Sequence, residues 1–246
     1  MYHTWVKRIT DTRIFALVCL NAALYASILT LDILKVTYGI TRTQGHICDV
    51  FKYTAIISCL IICIFALSHT RKQTARIQAI VFCFTLGADF CLLFTSSFAI
   101  GIGIFLGAHT FALIRYRRGW ALPAGICAAA LFFVVIGVFP RVMHADTGLA
   151  LTFAVSIAYA VLIITVAIST FFAEQPCENA IFSRLGMILF LACDINVAVF
   201  NTLPSGHALY TASVILMWAF YLPAQTLLAL SATDLPLINH RRSSRG

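Results

Sequence analysis

The 246-residue chain is 61% hydrophobic and only 11% charged, with a mean hydropathy of +0.95. A soluble domain carries about 45–50% apolar and about 25% charged residues, so this much apolar surface cannot be hidden inside a soluble globule of this size. Soluble enzymes, disordered proteins and nucleic-acid-binding domains are excluded. Long apolar runs that do not alternate argue against an outer-membrane barrel, which leaves an all-α polytopic membrane protein.

A bilayer core needs about 20 apolar residues per helix. Eight stretches meet that rule, the first near 14–34, behind the basic segment Met1–Arg13. It has no A-x-A cleavage site, so it reads as a retained span and not as a removed signal peptide. The others follow near 50–68, 77–96, 98–114, 120–139, 149–171, 182–201 and 208–231. Short connections leave no room for a second domain, so 1–246 is read as one integral membrane domain. The net charge of +8 sits mainly in those connections. Of the 17 Lys and Arg, Lys35, Arg42, Lys52 and Arg141 fall on one side and the remaining 13 on the other. That asymmetry predicts cytoplasmic termini and an even number of spans. Nine cysteines without a C-x-x-C pair indicate neither a disulfide framework nor a zinc ribbon, and read as small buried hydrophobes.

Two carboxylates interrupt the apolar spans: Asp89 in "TLGADFCLLF" and Asp194 in "FLACDINVAVF". A membrane-buried carboxylate costs several kcal/mol unless it is protonated, paired or hydrated, and such residues usually line a cavity or pathway. Spans three and seven run in the same direction, and simple rise puts the two residues within about 5 Å in depth. They are expected to face one mid-membrane cavity, Asp89 on a stripe with Thr85 and Ser96, Asp194 on one with Asn201. The bland alternative is an interhelical hydrogen bond. Asp32 and Asp49 lie near span ends and are expected at the interface. His109 is a third candidate, placed by rise about 10 Å nearer the cytoplasmic face than Asp89. Gly103 and Gly107 beside it form a G-x-x-x-G face, which more often signals close helix packing than chemistry.

Other chemistries fit poorly. There is no H-E-x-x-H and no G-x-S-x-G elbow. His46 and His207 are expected on the side opposite His109, so no metal site is expected. "LGADF" misses the G-x-G-D of intramembrane aspartyl proteases at Ala88.

The order of these elements resembles the YhhN-like lysoplasmalogenase family. Leu86–Tyr116 is similar to the family's G-D-x-x-L helix followed by a Gly-rich helix ending in an aromatic, a small residue and His. Gly186–Asp194, "GMILFLACD", is similar to its G-x-x-x-F-x-x-S-D helix. Tyr221, Ala224 and Gln225 match the Tyr and Ala-Gln of the last span, and Lys52 matches a Lys opening the second. The likeness covers roughly 50–231. Ala88, Cys193, Ala112 and Tyr53 depart from the pattern and mark a divergent member.

What the resemblance implies is hydrolysis of the vinyl ether of a single-chain ether lysophospholipid, in a bacterial inner membrane or an endomembrane. The products are a fatty aldehyde and glycerophosphoethanolamine or glycerophosphocholine. Such a reaction needs one carboxylic acid to protonate carbon and one carboxylate to stabilise cation and steer water, with no metal or cofactor. Asp89 and Asp194 are the expected pair, with the acid unassigned, and His109 is expected to hold one of them or position water. Lys52 is expected either to bind the phosphate or to snorkel. Tyr221 and Gln225 are expected to bond the headgroup or an aspartate, or to be ordinary bundle contacts. A competing reading is a non-enzymatic proton-coupled transporter or lipid-binding membrane protein using the same aspartates.

Overall fold

The structure, a computed structural model, describes residues 2–39, 41–67, 72–95, 97–143, 147–173 and 180–233, without the side chains of 2–11, 72, 139, 142, 143 and 147. Ser96, Cys177, Arg71 and the basic tail with Arg241, Arg242 and Arg245 lie outside the described residues. The described chain is helical: α1 (Tyr2–Tyr38), α2 (Arg42–Ala66), α3 (Lys72–Phe90), α4 (Phe98–Met143), α5 (Thr147–Ser169), α6 (Ala180–Thr202) and α7 (Ala208–Leu230). One wider π-type turn, Cys91–Thr95, extends α3. All seven helices are long and apolar enough to cross a membrane. Their outer faces carry Phe15, Leu122, Ile126 and Phe133, exposed as lipid-facing side chains are.

Seven helices provide eight crossings, because α4 is two spans. It has 46 residues, about 69 Å of helix at 1.5 Å per residue and twice a bilayer core. Arg117, at φ −153° and ψ 78°, breaks it. Ring contacts show that the chain reverses there. Trp120 meets Phe172, just past α5, at 6.3 Å, while His109 meets Tyr159 at 5.0 Å. Were α4 straight, His109 and Tyr159 would lie on opposite sides of the Trp120–Phe172 contact, separated by roughly 35 Å. The expected spans 98–114 and 120–139 are therefore a hairpin hinged at "RYRRGW".

Other boundaries move for local reasons. The Thr41 side chain accepts from the Gln44 amide while Gln44 accepts from the Thr41 amide, a capping box that starts α2 well before the expected residue 50. Gly39, at φ +73°, ends α1 with its N–H on the Lys35 carbonyl. Helices adjacent in sequence pack on one another, and α7 closes the bundle against α1 and α2. Only half of the expected G-x-x-x-G face packs closely. A Cβ on Gly107 would lie 2.6 Å from Phe84, whereas Gly103 faces open space.

Polar side chains inside the bundle are bonded across helices. Asn21 of α1 donates to Cys59 Sγ of α2 and Thr226 Oγ1 of α7, and accepts from Ser58. Just beyond, at the C-terminal end of α7, buried Arg115 donates to Ser231 O at 2.9 Å, Ser231 Oγ at 3.0 Å, Tyr116 Oη at 3.0 Å and Gln78. Arg115 thus ties α3, α4 and the C-terminal end of α7 together. Arg115 and Lys52, which read in the sequence as orientation charges, are both buried within the fold. Replacing Arg115 with Met, which keeps the stem but strands Gln78 and Ser231, is expected to destabilise by about 2–4 kcal/mol. A melting temperature in detergent equal to that of the parent would contradict this role.

Candidate active site

Asp89 lies at the end of α3, two residues before the π-type turn begins at Cys91. It is buried, and the Tyr221 hydroxyl of α7 donates across both its oxygens, at 2.9 Å to Oδ1 and 2.8 Å to Oδ2. Asp194, partly buried on α6, accepts through Oδ2 from the Tyr159 hydroxyl of α5 at 2.6 Å. Asp194 Oδ1 has no hydrogen-bond partner among the described residues.

His109 sits between the two Tyr–Asp pairs. Its ring meets Tyr159 edge-on at 5.0 Å and Phe190 at 5.3 Å, and Phe190 in turn meets Tyr221 at 5.4 Å. The depth gap expected from helix rise is bridged by these rings. His109 bonds neither aspartate. Its Nδ1 lies 3.0 Å from the Phe105 carbonyl, which can only accept, so the proton is on Nδ1 and Nε2 is left as an acceptor.

Lys52 has a different environment from the one expected. Its Nζ is buried, 3.0 Å from Asp32 Oδ1, and lies 4.9 Å over the Trp218 ring. Asp32, near the end of α1, is 2% exposed, its carboxyl turned into the bundle against Lys52. Asp49 stays partly exposed. The Lys52 ammonium borders a cavity of about 330 Å³ lined also by Asp32, Lys35, Phe200, Tyr210 and Trp218. Trp218 forms part of this wall and meets Tyr221 edge-on at 5.0 Å, so Lys52 and Asp89 are separated by two ring contacts and one hydrogen bond.

The remaining candidates are less connected. Gln225 is buried one turn beyond Tyr221, but its Nε2 has no partner among the described residues and it bonds neither aspartate. Thr85, buried one turn from Asp89, donates to Val81 O, and exposed Asn201 donates to Val197 O, so neither bonds an aspartate. Among the described residues no three His, Cys, Asp or Glu gather to hold a metal ion. Sequence reasoning missed Tyr159 and Asp32. Tyr159 had one available signal, a phenol at mid-span in "SIAYAVLII".

A model of the YhhN family matches residues 49–232. The chain belongs to the YhhN family. Both aspartates, both tyrosines, His109, Lys52 and Gln225 fall within the YhhN match, whereas Asp32 and Lys35 lie before it. Comparison with curated proteins and with solved structures returned no match. The departures Ala88, Ala112 and Cys193 are all buried beside the YhhN motifs, and none replaces a carboxyl.

Proposed function

We propose that this protein hydrolyses the vinyl ether bond of lysoplasmalogens to a fatty aldehyde and a glycerophospho-ethanolamine or -choline. The observation that carries this reading is the pair of carboxyls in apolar helices, Asp89 held by Tyr221 and Asp194 held by Tyr159, with the two tyrosines linked through the rings of His109 and Phe190. Membership of the YhhN family supports it.

Vinyl ether hydrolysis begins with proton transfer to the β-carbon. The alkene electrons form the new C–H bond, and the ether oxygen shares the resulting positive charge. In this reading Asp194 gives that proton, because its Oδ1 is not already accepting a hydrogen bond, while both Asp89 oxygens accept from Tyr221. The Asp89 carboxylate faces the oxocarbenium ion and takes a proton from the water that adds to the α-carbon. The hemiacetal hydroxyl then returns a proton to Asp194. As the C–O bond breaks toward glycerol, Asp89 protonates the departing oxygen. One water is consumed and both carboxyls are restored. His109 Nε2, an acceptor among the rings, orients water on this path.

With both termini cytoplasmic, as the distribution of Lys and Arg has it, the cavity beside Lys52 opens away from the cytoplasm. The lysolipid headgroup occupies that cavity, and the chain lies toward the lipid-facing wall.

Aldehyde release from a lysoplasmalogen by the detergent-purified protein tests the reading. An ester-linked lysophospholipid offers no vinyl carbon to protonate, so it is expected to release no fatty acid. Fatty acid from the ester, lost on replacing either aspartate, would refute the mechanism. No aldehyde from folded protein would turn attention to proton-coupled transport through the same residues.

A further inference from the structure

We infer that the cavity beside Lys52 is a headgroup site that prefers phosphoethanolamine to phosphocholine, with Asp32 as the discriminating residue. The inference takes the kind of ligand from the lysolipid reading above, and extends to a residue outside the family match. Three features of the cavity carry it.

The first is an unfilled acceptor. Asp32 is 2% exposed; its Oδ1 accepts from Lys52 Nζ at 3.0 Å, with Cys48 Sγ at 3.7 Å. Its Oδ2, on the same buried carboxyl lining the cavity, has no hydrogen-bond partner among the described residues. A buried carboxylate oxygen without a donor is costly, and a ligand N–H relieves that cost. A primary ammonium brings three N–H donors, whereas a quaternary ammonium brings none.

The second is charge. Lys35 and Lys52 border the cavity with Asp32, so it holds two cations and one anion. Lys35 lies three residues from Asp32 on the same face of α1. A phosphate diester meets the lysines, and its attached ammonium meets Asp32, leaving every charge with an opposite neighbour.

The third is the state of the aromatic rings. A trimethylammonium is recognised by several aromatic faces turned to one point. The cavity has Trp218, Tyr210 and Phe200, but the Lys52 ammonium already covers the Trp218 face. Phe200 and Tyr210 stack on each other at 4.8 Å and 21°, so they cannot wall a box between them. The rings thus leave no cage for choline.

Binding of saturated 1-alkyl lysophospholipids separates this proposal from the chemistry, because these lipids have neither a vinyl ether nor an ester to cleave. The full-length protein in detergent is titrated with ethanolamine and choline forms of the same chain, followed by tryptophan fluorescence. The ethanolamine form is expected to bind about 10-fold more tightly, one donor hydrogen bond's worth. In Asp32→Asn/Lys52→Gln, which neutralises the ion pair without leaving either charge alone, the ratio is expected to fall to about 1. Equal affinities, a choline preference or no binding by the parent protein overturn the proposal, and the parent measurement decides this even if the variant does not fold. A preference that survives in the double variant overturns the assignment to Asp32. Aldehyde release is measured separately. Headgroup preference without aldehyde leaves the site standing and sinks the hydrolase reading; aldehyde without preference sinks this inference alone.

Discussion

Asp89→Asn and Asp194→Asn are each expected to lower aldehyde release by about 10³-fold or more, near the top of what a positioned acid or base supplies. The substitution is close to isosteric, and the amide oxygen still accepts from Tyr221 or Tyr159, so the bundle retains its hydrogen bonds. What is lost is specific to the chemistry: an amide can neither carry a proton to carbon nor take one from water. Melting temperatures in detergent within a few degrees of the parent's confirm that the variants are folded. Because each carboxyl acts once as donor and once as acceptor in the cycle, the two single losses are expected to be similar, and the double variant no worse than either. Near-normal turnover by either folded single variant refutes the paired mechanism. A large loss in one alone would mean a single acid with solvent as its partner.

How much of this site was legible in the sequence depends on what each residue's signal is. Hydropathy is a one-dimensional property of a segment, and it places every span within a few residues except where a polar stretch is helical too. Those exceptions are the start of α1, where the basic segment before residue 14 is helical from Tyr2, and the start of α2, where "TRTQGHICD" reads as a loop by composition but begins helically at its capping box. The α4 hairpin is visible as two apolar stretches around "RYRRGW", where a single non-helical residue, Arg117, is enough to turn the chain. Asp89 and Asp194 stood out because a carboxyl is improbable at membrane depth. Tyr159 did not, since a tyrosine is common in an apolar helix and only its neighbour across the bundle gives it meaning. Asp32 reads in the sequence as a carboxyl near a span end, and its burial against Lys52, 20 residues on across the α1–α2 turn, is visible only in the fold. Lys52 alone looks like a snorkelling residue, and only the fold supplies the carboxyl that holds it inside.

Tyr159→Phe and Tyr221→Phe are expected to reduce kcat by about 10–100-fold with little change in KM, because each removes a hydroxyl that holds a carboxyl without removing the carboxyl. Both are positioning residues in this account: neither hydroxyl needs to touch the lipid for its loss to be felt. Tyr159 spans from α5 to α6, and no other described donor reaches Asp194. Tyr221 donates to both Asp89 oxygens, so its loss frees that carboxyl to rotate. Each phenylalanine variant also leaves a membrane-depth carboxyl without its donor, a cost of about 1–3 kcal/mol that lowers the melting temperature. A structural role alone would produce that drop in stability, so the decisive readout is a double-mutant cycle on turnover. If Tyr159 acts through Asp194, then Tyr159→Phe costs nothing further once Asp194 is Asn, and the same holds for Tyr221 with Asp89. Crossed pairs, Tyr159→Phe with Asp89→Asn, serve as the comparison. Additive losses within each Tyr–Asp pair would show that the tyrosines act on the substrate directly, and the positioning account would fall.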